Sequence, residues 1–190
     1  MPKITVLLTN GFADWEIGLL AGTARGWYGV DVVHTTIDGL PVTSTGGMRV
    51  APSAALTAGL ADADALIVVG GSAWMLPDAP DLAAVLSTYD GVIAGICDGT
   101  RELARAGLLN HLAHTSNDQA TLDGVPGYGG QAHFQSAGRA VRAGRIVTAA
   151  GTAPVSFMAE VLAALGLADD NLAYYLGLLG AEHETLAKAA

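Results

Sequence analysis

The sequence predicts an α/β fold, a mostly parallel sheet with helices on both faces. Three observations lead there. Short apolar, β-branched runs alternate along the chain with helix-like segments, the pattern of strands joined by crossover helices. Several of these runs are apolar throughout, as strands buried on both faces are. The composition, 51% hydrophobic and 14% charged with 25 glycines in 190 residues, suits a folded chain and not a disordered one. By length this is one domain spanning residues 1–190.

Ile4–Leu8 is the first strand, punctuated by Asn10-Gly11. Asp14-Trp15-Glu16 opens an amphipathic helix that runs to about Ala24, and Val30–Thr36 is the next strand. Thr43–Pro52, with Gly46-Gly47 inside it, reads as a hairpin excursion. Ala65–Val69 is a fully apolar strand that ends in Gly70-Gly71. A helix over Asp81–Tyr89 leads to a strand over Gly91–Ile96, and a helix over Thr100–Ala106 is closed by Gly107. Asp118 to Gly144 is Gly-rich and poorly periodic, so long irregular structure with one short helix is expected there. Arg145–Ala149 is a late strand; Pro154–Leu165 and Leu172–Leu179 are apolar helices.

The net charge of −9, with no Lys/Arg cluster, argues against nucleic acid and anionic membrane surfaces as partners. No apolar run approaches the ~20 residues that span a bilayer. A single cysteine forms no internal disulfide, and Met1-Pro2-Lys3 leads straight into a strand without a secretory pattern. A cytoplasmic protein is the expectation. No His/Cys/Asp cluster has metal-ligand spacing, and no Gly-x-Gly-x-x-Gly follows the first strand, so neither a metal nor a dinucleotide cofactor is expected.

That one thiol, Cys97, falls where an apolar strand meets a helix. In open parallel sheets, ligands bind at the carboxyl ends of strands. A sulfur at a helix start lies near unpaired N–H groups and the positive end of the dipole, where thiol pKa values fall to about 3.5–7.5. The turn also has the logic of a nucleophile elbow, with Gly99 allowing close backbone approach. A lone cysteine is more often a small buried hydrophobe, but the strand–Cys–x–Gly–helix context favours a reactive thiol. Asp98 has two readings: a like charge that raises the thiol's pKa, or a first-turn acid serving the helix.

Gly95-Ile96-Cys97 and Leu103-Ala104-Arg105-Ala106-Gly107-Leu108-Leu109 resemble the nucleophile segment of the ThiJ/PfpI family, within the class I glutamine amidotransferase-like superfamily. Leu8-Thr9-Asn10-Gly11-Phe12-Ala13-Asp14-Trp15-Glu16-Ile17, Ala65–Gly71 and Ile146–Pro154 agree in order, so the resemblance spans nearly the whole chain. It implies a three-layer α/β/α sandwich of flavodoxin-like topology, no cofactor, and frequent homodimerisation. It also puts Glu16 at the family's acidic position, where a protonated acid donates to the cysteine thiolate and lowers its pKa. Gly70 and Gly71 resemble the oxyanion-side glycines, although a plain strand-to-helix turn would look the same. Trp74 either walls the pocket or packs as a structural aromatic.

The pattern breaks at His114-Thr115-Ser116-Asn117-Asp118, where Asn117 stands in place of the histidine many members carry. An amide orients or donates but accepts no proton at neutral pH, which puts a Cys–His dyad in doubt. His114, three residues away, turns to the opposite face of a short strand, and His133 reaches the site only through tertiary placement. His111 follows a helix end and reads as a dipole partner.

The expected function is a cofactor-independent, cysteine-dependent hydrolase, hydratase or amidotransferase-like enzyme acting on a small electrophile. Cys97, Glu16 and Asp98 carry the chemistry, and Gly70, Gly71, Trp74, Ser116 and Asn117 contact substrate. The alternatives are a redox-responsive stress protein whose Cys97 is oxidised, and a catalytically silent relative.

Overall fold

The computed structural model describes the backbone of residues 1–189 and the side chains of residues 1–184. Its strands are β1 (Lys3–Leu7), β2 (Asp31–Thr36), β3 (Val42–Thr43), β4 (Arg49–Val50), β5 (Ala54–Ala55), β6 (Ala65–Val68), β7 (Val92–Ile96), β8 (Val141–Ala143) and β9 (Ile146–Ala149). Its α-helices are α1 (Asp14–Tyr28), α2 (Leu56–Gly59), α3 (Ala83–Thr88), α4 (Thr100–Arg105), α5 (Pro154–Ala164) and α6 (Asp170–Ala189). Seven strands form one sheet in the order β5-β2-β1-β6-β7-β9-β8, parallel except for the edge pair β8–β9. The β3–β4 hairpin stands apart from it, where the Gly46-Gly47 excursion was expected.

The period-2 side-chain alternation of strands builds the three layers. Ile4, Val6, Ile67, Ala94 and Ile96 point to one face, where they pack with Ile17 and Leu20 of α1 and Phe157, Met158 and Val161 of α5. Leu7, Leu66, Val68 and Ile93 point to the other, against Leu86 of α3 and Leu103 of α4. This is the expected α/β/α sandwich.

Strand order reverses at β1: the chain first adds β2 and β5 on one side of it, then β6, β7 and β9 on the other. Such a switch point opens a crevice at the carboxyl ends of the strands. Register keeps those ends level, with Val68 beside Gly95 and Ile96 beside Ala149. The loops after β1, β6, β7 and β9 therefore converge. The α4 end closes as expected: Gly107 has φ +73°, its N–H donates to Ala104 O at 2.9 Å, and the Leu108 N–H donates to Leu103 O at 3.1 Å, a Schellman pair.

Three features were not expected. Val141–Ala143 forms an antiparallel edge strand inside the stretch read as irregular, made possible by Gly144 turning at φ +60°. The short β5 and α2 lie between the hairpin and β6. The last helix runs well past Leu179, because the polar continuation Ala181-Glu182-His183-Glu184 has helix-forming residues but no apolar stripe to announce it. Among the described residues, no helix is long and apolar enough to cross a membrane.

Candidate active site

Cys97 occupies a strained position. It follows β7 at φ +55°, one of two non-glycine residues with positive φ among those described. A left-handed conformation costs a residue with a Cβ about 1–2 kcal/mol. The surroundings hold it there. A single 3₁₀ turn, Cys97–Gly99, leads into α4. The Thr100 hydroxyl donates to Cys97 O at 2.6 Å and pairs with the Ser116 hydroxyl at 2.7 Å. Gly99 lies against the backbone of β6, where any Cβ would collide with the Val68 carbonyl.

Glu16 is brought to the sulfur by the first turn of α1 and is fully buried. The Gly70 N–H donates to Glu16 Oε2 at 2.8 Å, whereas the buried Oε1 has no hydrogen-bond partner. A methyl group placed on Gly151, just after β9, would sit 2.8 Å from Glu16 Oε1 and 3.1 Å from Cys97 Sγ. Acid and thiol thus face the same bare patch of backbone. Gly70 is equally tight: a Cβ there would come within 2.5 Å of Cys97 Cβ and 2.6 Å of Glu16 Oε2. Both glycines are required by the close approach of the two side chains.

Electrostatics correct one expectation. A helix start does not ionise this thiol by itself, because the chain after β7 forms only one 3₁₀ turn and a six-residue helix, with carboxyl groups on both sides of the sulfur. Burial pushes the Cys97 thiol up to about 12; the Asn117 hydrogen bond opposes this, and the Glu16 and Asp98 charges add to it. Burial also lifts Glu16 to about 7, against the nearby Cys97 thiol and the Gly70 hydrogen bond. Two adjacent groups raised in this way titrate as a pair. The pair loses its first proton near neutrality and keeps the second. Asp98 is half-buried, and burial raises its carboxyl too, with the Cys97 hydrogen bond and the Arg101 charge pulling it down. The thiol donates to Asp98 Oδ2 at 3.7 Å.

Asn117 takes the position opposite the acid. Its Nδ2 donates to Cys97 Sγ at 3.1 Å, and its Oδ1 accepts the Gly151 N–H at 2.9 Å. The second bond fixes which end of the amide faces sulfur. Replacing Asn117 with leucine removes the donor that opposes the rise in the thiol's pKa, and a hydrogen bond to the thiolate, once formed, is worth about 1.5–3 kcal/mol. Alkylation of Cys97 at pH 7 is expected to slow by about tenfold or more, measured by intact mass.

The histidines stay elsewhere. His114 is buried, with Nδ1 against Leu112 O at 2.7 Å and Nε2 against the Tyr128 hydroxyl at 2.9 Å. His133 is exposed in a 3₁₀ turn, and its carbonyl accepts the His114 N–H. His111 is exposed beyond α4.

Two expected substrate contacts are corrected. Trp74 is 1% exposed, its indole N–H donates to Val69 O at 2.7 Å, and it packs with Leu82 and Leu86. It has no open face for a ligand. Ser116 is 2% exposed and its hydroxyl is bound to Thr100, so it braces the elbow. The Gly70 N–H is occupied by Glu16, while Gly71 is extended at φ 167° and pairs with Phe12.

Sequence reasoning missed Gly151, Trp15 and Thr100. Trp15 is 55% exposed and its indole N–H donates to Gly151 O at 3.1 Å, which puts the ring at the rim of the site. Gly151 stood inside a segment singled out for its resemblance, but a role for it needs the fold. Among the described residues, no three His, Cys, Asp or Glu side chains converge to hold a metal.

The chain matches the DJ-1/PfpI family model over residues 2–164. It is 33% identical over 187 residues to "Uncharacterized protease YoaZ" of Bacillus subtilis (strain 168), covering 90% of this chain and 87% of that protein. The crystal structure of the DJ-1 superfamily protein Atu0886 from Agrobacterium tumefaciens superposes with a TM-score of 0.93 at 43% identity, covering 96% of this chain and all of that one. A thiJ/pfpI family protein from Bacillus anthracis gives 0.82 at 28% identity over 93% and 89% of the two chains. An α/β/α sandwich with its cysteine at the end of β7, and relatives that match over most of their length, lead to one conclusion: this chain belongs to the DJ-1/PfpI family.

Proposed function

We propose that the protein is a cofactor-independent enzyme in which Cys97 attacks a small electrophilic carbon and Glu16 moves the proton. The observation that carries this is the shared bare patch at Gly151, with Glu16 Oε1 unpartnered on one side and Cys97 Sγ on the other. The reactive form is the pair with one proton removed. Sulfur forms a bond to the carbon of a carbonyl, amide or isonitrile, and the electron pair of the broken π bond moves onto the substrate heteroatom. The Gly71 and Asp98 N–H groups hold that charge in this scheme. Glu16 then delivers the remaining proton.

Without a histidine, the proton carriers are Glu16 and Asp98, which suits hydration or isomerisation better than cleavage of a peptide. The relative YoaZ is named an uncharacterised protease, which is compatible with hydrolysis of small amides. A homodimer and a cytoplasmic location extend this reading. In support of the dimer, Gly18, Gly22 and Gly26 lie one turn apart on α1 with open space around them, flanked by the exposed Trp15 and Trp27.

Steady turnover of methylglyoxal or an isonitrile, lost in Cys97→Ala, is the expected result. Peroxide oxidation of Cys97 without turnover of any such substrate favours the redox-responsive alternative. Because burial lifts Glu16 to about 7, kcat/KM should rise with pH through about 7 and then level off, with no fall below pH 9.

A further inference from the structure

Among the described residues two carboxyl groups flank the Cys97 sulfur, and neither is held in an ion pair. Glu16 is fully buried with Oε1 unpartnered beside the sulfur, and Asp98 is half-buried and in contact with it. The ion pairs among the described residues are Arg105 with Glu102 and Arg142 with Glu160, so neither Glu16 nor Asp98 is neutralised by one. The cation whose charge reaches Asp98 is Arg101, and its guanidinium is engaged by the Thr121 carbonyl. The rest of the rim is uncharged: Asn117, Gly151 and the exposed Trp15 indole.

We propose that this site selects its electrophile by charge, admitting uncharged or cationic molecules and turning away anionic ones, with Asp98 as the specificity-determining residue. A neutral amide or aldehyde meets only hydrogen-bonding groups and the indole. A carboxylate or phosphate on the substrate would be brought against like charges in a half-buried space, where solvent screens poorly. Substrates such as keto acids and sugar phosphates are thereby excluded. The inference rests on the reading of Cys97 as a nucleophile.

Two alkylating reagents of nearly equal size test it, iodoacetamide and iodoacetate. In both reactions sulfur bonds to the methylene carbon, the C–I bond breaks, iodide leaves with its electron pair, and the thiol proton is lost to Glu16 or solvent. The chain has one cysteine, so intact mass reads a single site. At pH 8, the ratio of iodoacetamide to iodoacetate rates should exceed the same ratio for β-mercaptoethanol by on the order of tenfold. Asp98→Asn should pull the ratio several-fold back toward that reference. Equal ratios for protein and free thiol would overturn charge selection and leave the nucleophile standing. An unchanged ratio in Asp98→Asn would overturn the assignment to that residue. A native Cys97 inert to both reagents, yet alkylated after denaturation, would overturn the proposed function and this inference with it.

Discussion

Glu16→Gln is expected to lower kcat/KM by about two to four orders of magnitude, the range by which positioned proton transfer accelerates reactions. Glutamine keeps the shape of the side chain and an oxygen for the Gly70 N–H, so the elbow should stay in place. The loss is confined to the proton that moves between Oε1 and sulfur. The same substitution carries a stability signature that a merely structural residue would not show. A carboxyl group raised from 4.5 to about 7 holds its proton longer in the folded protein than in the unfolded chain. In the window between those values the native state binds more protons, so stability falls as pH rises through it. The cost at full ionisation is about 3 kcal/mol. Glutamine has nothing to ionise. Its stability relative to the wild type should therefore shift by about 3 kcal/mol in its favour between pH 4 and pH 8, measured by urea unfolding. A difference that stays constant with pH would contradict a strained, buried acid.

Gly99→Ala should be the most damaging single methyl in the site. The glycine has φ −60°, so conformation is no obstacle. Space is. A Cβ there meets the Val68 carbonyl and lies 3.2 Å from Val69 C, backbone atoms at the end of the central strand β6. Neither β6 nor the elbow can yield without moving the sheet. Overpacking of this kind costs about 1–3 kcal/mol, and a backbone-to-backbone clash belongs at the upper end. Loss of activity should exceed loss of stability, since relief of the clash swings Cys97 away from Glu16. Gly177→Ala is the matched control. That position is exposed on α6 with nothing within 4 Å of a Cβ, and alanine should stabilise the helix by up to about 1 kcal/mol.

The sheet was legible because its strands announce themselves locally. Ala65–Val69 and Gly91–Ile96 are apolar throughout, and Gly70-Gly71 and Cys97 mark their ends. The pair Glu16 and Cys97 was legible only through resemblance, since 81 positions separate them and no periodicity links a first-turn acid to a strand end. The state of the thiol was misjudged for a related reason. Position at a helix start is written in the sequence, but burial and the proximity of two carboxyl groups depend on which strands lie side by side. Trp74 reads as a pocket wall because it follows Gly71; the 3₁₀ turn over Ser72–Met75 instead drives its ring into the core. Asn117 reads from the sequence as a departure from the histidine pattern, but its bond to Gly151 needs β9 to lie beside β7.

The central claim is that Cys97 ionises as one half of a pair with Glu16. The pH dependence of Cys97 alkylation by iodoacetamide, compared between wild type and Glu16→Gln, tests it most directly. A wild-type inflection near 7 that moves above about pH 9 in the variant is the predicted result, since burial and the Asp98 charge then hold the thiol up, with the Asn117 hydrogen bond as their one opponent. An inflection that stays in place when the carboxyl is gone would contradict the account.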